Sequence, residues 1–155
     1  MSSSKHYLNN NPACKETHLR FGILGSDLEP DEVTRVLQIQ PHKAFAKGDL
    51  FETRSGQHKR SSGLWSFNTK SLVNSTSPEI HAEYLLDRIE PRAETLKSVF
   101  QERGYRLSIS VWWEGNDYHG GFTLSTKTLR RLSCICEEIS FFFISSDSEE
   151  CDRST

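Results

Sequence analysis

One pattern occurs twice in this chain and limits what it can fold into: an alternating strand, a capped amphipathic helix and a second strand. In the first copy Leu19, Phe21 and Ile23 alternate with His18, Arg20 and Gly22, the period-two signature of a half-buried strand. After Gly25-Ser26-Asp27 the chain turns. Pro30 then suits a first helical turn, with Asp31 and Glu32 at the positive end of the helix dipole. Val33, Val36 and Leu37 form the apolar stripe, and Pro41 is expected to stop the helix.

The second copy starts with a strand over 105–113 whose Leu107, Ile109, Val111 and Trp113 share a face. After a turn at 114–117, residues 120–124 are expected to return as a brief strand. Ser125 caps a helix in which Leu129, Leu132 and Cys136 lie at helical spacing. Residues 139–144 are apolar on both faces, which predicts a strand covered on both sides.

Between the copies, residues 42–62 are polar and basic without a period and read as a long loop. Residues 63–68 form a short strand with Trp65 and Phe67 in the core. Ser77-Pro78-Glu79 is a strong helix start. The stripe Ile80, Tyr84, Leu85 and Ile89 resumes at Leu96, Val99 and Phe100, with Pro91 dividing it.

The predicted fold is α+β: duplicated β-α-β units forming a four-stranded, mostly antiparallel sheet with helices on one face, ferredoxin-like or split β-α-β. A chain of 155 residues has room for one such core. The domain is expected over residues 17–144, after a disordered N-terminal arm at 1–16 and before an acidic disordered tail at 145–155.

A net charge of −2 is too small to point to nucleic acid. No run is long enough to span a membrane, and no apolar leader opens the sequence. The expectation is a soluble, cytoplasmic protein. Cys14 and Cys151 lie in the two ends, and Cys134 and Cys136 are too close for zinc or redox spacing. They read as reduced thiols. His42, His58 and His119 lack metal-ligand spacing, even with Asp49, Asp117 or Glu114 beside them. Gly-x-Ser-x-Gly and the phosphate-cradling glycine patterns are absent from the sequence. No catalytic residue, metal or cofactor is therefore assigned.

Two places point to binding. Arg54, His58, Lys59 and Arg60 alternate with small polar residues, as a loop holding a phosphate or carboxylate requires; a merely solvated loop looks the same. Trp112 and Trp113 are adjacent in a strand and must face opposite ways. Trp113 follows the core face, which leaves Trp112 on the other. With Tyr118 and His119 it forms an aromatic anchor for a protein partner, or else lies beneath a loop.

The residues from Asp27 through Thr34, Leu37 and Pro41, then Gly48-Asp49, Gly63-Leu64-Trp65-Ser66, Leu107-Ser108-Ile109 and Gly121-Phe122-Thr123-Leu124-Ser125, follow in a recognisable order. In this order they resemble a bacterial family known as domain of unknown function 4279, from about Leu19 to Phe143. The resemblance implies a small stand-alone bacterial protein and brings no activity or catalytic residue with it.

The expected function is a non-enzymatic module that recognises a protein partner, an immunity protein neutralising a toxin being one concrete form. The alternative is an enzyme or ligand-responsive module acting on a phosphate-bearing or other anionic ligand at 42–60.

Overall fold

The computed structural model describes residues 11–116 and 120–145. In chain order these form β1 (Cys14–Gly25), α1 (Pro30–Leu37), β2 (Lys43–Phe45), β3 (Leu50–Thr53), β4 (Gly56–Lys59), β5 (Gly63–Asn68), α2 (Pro78–Ile89), β6 (Arg106–Gly115), α3 (Thr126–Ser133) and β7 (Glu138–Ser145). Pro91 ends α2 as its chemistry requires. The chain continues through a 3-10 turn at Glu90–Arg92, one helical turn at Ala93–Thr95 and a π-turn at Leu96–Gln101.

The fold is α+β, but the sheet has five strands rather than four, in the order β2-β5-β1-β6-β7. Three junctions are antiparallel, and β6–β7 is parallel. The fifth strand and a separate two-stranded ribbon, β3–β4, come from residues 42–62, read above as a loop. These strands are short and without an alternating apolar face, so no period marks them. Side-chain contacts across the ribbon, described below, hold them.

The two β-α-β units are not duplicates in space. β1 and β5 are antiparallel neighbours, because β2 and the ribbon intervene after α1 and reverse the return. β6 and β7 are joined through α3 alone and run parallel. The central β1–β6 pair is antiparallel and registers Phe21 against Ile109 and Leu19 against Val111.

Helices lie on one face. Leu19, Phe21, Ile23, Trp65 and Ile109 point to that side and are fully buried against Leu37 of α1, Leu85 and Ile89 of α2, and Leu132 of α3. Trp65 also donates its indole N–H to Thr34 Oγ1 at 3.0 Å, pinning α1 to β5. Among the described residues no helix covers the opposite face.

Several boundaries differ from expectation for local reasons. β1 starts at Cys14, inside the expected arm; a register shift between Cys14 and Glu16 breaks the alternation that would have revealed it. Helix α1 stops at Leu37, before Pro41, because Gln38 takes a left-handed conformation (φ 55°) and donates its N–H to Thr34 O. Residues 120–125 form no strand. Ser125 does cap α3, its hydroxyl accepting from Thr128 N at 3.1 Å.

Candidate functional site

The largest departure from expectation is β7. It is an edge strand, and Phe141, Phe142, Phe143 and Ile144 are 44%, 40%, 64% and 44% exposed. An apolar strand would be covered on both faces at the centre of a sheet; at the edge, one whole flank is left open.

Pairing register decides what those side chains meet. His18, Trp112 and Phe142 are direct neighbours on β1, β6 and β7. On the open face their rings form a stacked row. His18 and Trp112 are 5.9 Å apart and 7° from parallel; Trp112 and Phe142 are 4.5 Å apart and 15° from parallel. Cross-strand neighbours about 5 Å apart are spaced for such stacking. Trp112 is thus half-buried within a row, and its outer neighbour Phe142 is the more open ring.

Beside this row, a cavity of about 350 Å³ opens between Glu16, His18, Lys70 and Glu114. Its charges are largely paired: Lys70 with Glu16 at 2.7 Å and Lys15 with Glu114 at 2.8 Å. His18 Nδ1 is buried without a hydrogen bond. Burial, reinforced by the Lys70 charge and opposed by Glu16, holds this imidazole below its ordinary pKa.

On the helix side, Phe122 stacks on both Phe141 (6.1 Å) and Phe143 (5.7 Å), and Trp113 meets Phe143 nearly edge-on at 6.2 Å. Trp113 is core, as its strand position predicts.

Helix α3, which carries the chain to β7, is held by a buried carboxylate. Glu79, in the first turn of α2, accepts from Ser125 N (3.0 Å), Ser125 Oγ (2.7 Å) and Thr128 Oγ1. Burial is the largest influence on this group and works to raise its pKa. The hydrogen bonds from Thr128 and Ser125 outweigh it and keep the carboxyl below its ordinary value. A second buried group, His81, bridges Thr69 Oγ1 (2.6 Å) and the Ser75 carbonyl (2.8 Å). The carbonyl can only accept, so Nε2 carries the proton. Burial lowers this imidazole, partly offset by the Ser75 contact.

The basic segment forms the β3–β4 ribbon. Arg54 and Ser55 make its turn, both exposed. His58 Nε2 lies 3.1 Å from Ser55 Oγ, and its ring lies 5.7 Å from Phe51. Arg60, just beyond β4, places its guanidinium over Phe45 at 4.1 Å and Phe51 at 3.7 Å. Lys59 opposes Leu50, and alternation turns it away from the His58 side. The ribbon therefore brings His58 and Arg60 to one side and Lys59 to the other.

Tyr118 and His119 lie outside the described residues. His42 accepts from Asn68 N at 3.2 Å and packs against Phe67. Cys14, Cys134 and Cys136 are free thiols, and burial pushes that of Cys136 up to about 11. Among the described residues no three His, Cys, Asp or Glu side chains converge as a metal site, and no helix is long and apolar enough to cross a membrane. Sequence reasoning missed His18 and the exposure of β7, since both depend on which strands are neighbours. It also missed Glu79, although an acidic residue just after Ser77-Pro78 was a signal of sorts.

Fold and surface define an open-faced α+β sheet domain with an aromatic edge. The chain matches the family described as a domain of unknown function (DUF4279) over residues 15–144 and belongs to it. No curated protein and no solved structure was found to match it.

Proposed function

We propose that this protein is a non-enzymatic module that recognises another protein through β7 and the adjoining open face. The observation that carries this reading is the exposure of Phe141, Phe142, Phe143 and Ile144 on a sheet edge, continuous with Trp112. Contiguous apolar surface of this kind marks interaction sites, and aromatic residues dominate binding energy at interfaces. A cytoplasmic immunity protein that occupies a toxin's surface is the concrete form proposed; free thiols at Cys14, Cys134 and Cys136 suit a reducing compartment.

Affinity capture with the full chain tests this. A partner retained at a stoichiometric level by the native protein should be lost with Phe142→Lys and reduced with Trp112→Ala. Retention by both variants would defeat the proposal.

A second reading places an anionic ligand, carried by an enzyme or a ligand-responsive module, at the ribbon. It is supported by Arg54, Lys59 and Arg60, none of which is in an ion pair among the described residues. Salt-sensitive thermal shifts with inorganic phosphate that vanish in the triple Ala variant would favour it; shifts untouched by the variant would reject it.

A further inference from the structure

We infer that the partner supplies an extended segment, apolar at its centre and basic at both ends, which adds to the free edge of β7 as a sixth strand. The inference rests on the recognition reading above and gives it a binding mode and a partner chemistry.

The sheet order ends at β7, so alternate residues of this eight-residue strand turn N–H and C=O groups away from β6 with no strand to receive them among the described residues. Sheets ordinarily blunt such an edge by keeping it short, or with lysine, proline or a bulge. Between the acidic ends none of these devices occurs: the register from Glu138 to Ser145 is unbroken, and residues 139–145 carry neither charge nor proline. Among the described residues this edge is open to main-chain pairing, which is how strand-addition domains gain affinity.

The side chains say what should pair. On the open face an added residue opposite Phe142 would extend the row from His18 through Trp112. On the helix side, added residues would cover the flanks of Phe141 and Phe143 that Phe122 leaves exposed. Both faces of the incoming strand are therefore apolar at its centre.

Charge settles the ends and argues against a second copy of the chain. Glu137 and Glu138 precede the uncharged stretch, and the sequence after Ser145 continues Ser146-Asp147-Ser148-Glu149-Glu150. Antiparallel self-pairing centred on Phe142 would carry Glu137 and Glu138 of each copy to the far end of the other copy's β7, where the sequence continues into Asp147, Glu149 and Glu150, so that like charges gather at both ends. Like charges directly opposite destabilise a strand pair, whereas lysine or arginine there is favourable. The acidic ends thus guard the edge against its own kind and select a basic-flanked strand.

The probe is a synthetic ten-residue peptide of valine and threonine flanked by two lysines at each end, titrated into the full-length protein by fluorescence anisotropy. We expect saturable binding that weakens as salt rises and falls about tenfold or more with glutamate flanks. A central proline in the peptide, or Phe142→Lys in the protein with its circular dichroism unchanged, should abolish it. Equal binding of the proline peptide removes strand addition, and equal binding of the two flanks removes charge selection. A protein that sediments as a dimer dissolved by Phe142→Lys would make the occupant a second copy, overturning the inference. No peptide binding, with partner capture still lost in Phe142→Lys, overturns the added strand alone. Capture indifferent to Phe142→Lys overturns the recognition reading itself.

Discussion

The two edges of the sheet are built on opposite plans. At one end, β2 has three residues, begins with exposed Lys43, and leads at once into the β3–β4 ribbon, where Arg60 lies over Phe45 and Phe51. This edge is short, charged and occupied locally. At the other end, β7 has eight residues, an uncharged centre and three consecutive phenylalanines, each at least 40% exposed. Among the described residues, one chain therefore contains both a protected edge and an open one. The protected edge shows that this sheet has room for the ordinary devices, and the uncharged centre of β7 does without them.

The contrast predicts a graded response to substitution. The largest effect should come from the core that both edges share. Phe21→Ala removes a fully buried ring between β5 and β6 and should cost about 3–5 kcal/mol, seen as a lower urea midpoint. A loss below about 1 kcal/mol would mean that the edges do not depend on one core.

Next comes the anchor of the β7 side. Glu79→Ala leaves the buried Thr128 hydroxyl and the Ser125 donors beside it without their acceptor and should cost about 1–3 kcal/mol. Hydrogen exchange should rise in α3 and β7 before β2 and β5; a uniform rise would break the comparison.

Acid should act in two windows. His81 and His18 have folded pKa values below the ordinary value, so the unfolded chain takes up their protons first. Their contribution is complete above about pH 6.5 and is lost as pH falls from there towards the folded values. Glu79 is also depressed, and its contribution is present above about pH 4.3 and lost as pH falls below that value. A urea midpoint unchanged between pH 7.5 and 5.5 would contradict the first window.

The ribbon side should respond less. Arg60→Ala removes a half-buried cation from two rings and should cost about 0.5–1 kcal/mol, with faster exchange confined to β3 and β4. The smallest effect is expected at the open edge. Phe143→Ser, 64% exposed, should leave stability, read as the urea midpoint, within about 0.5 kcal/mol. A loss of 2 kcal/mol would show that β7 is needed for folding rather than kept for contact.

Much of the fold was legible in the sequence. Period two marked β1, β5 and β6, the Ser77-Pro78 and Ser125 starts marked their helices, and Pro91 marked the break after α2. Each of these signals is local. The ribbon escaped because its strands are four residues each and lack an alternating apolar face, and Arg60 packs against rings nine and fifteen positions away. The candidate site escaped for a related reason. Trp112 could be assigned to the non-core face by counting, but its partners His18 and Phe142 belong to other strands.

By itself the sequence determined which segments become strands and helices, and which face of each is apolar, because periodicity and capping act over a few residues. Only the tertiary structure decided strand order. That order turned an apparent β-α-β duplication into one antiparallel and one parallel unit, and carried the apolar Ile139–Ile144 stretch to an edge. Burial is a property of neighbours rather than of composition, and neighbours are chosen by how the whole sheet closes around its core.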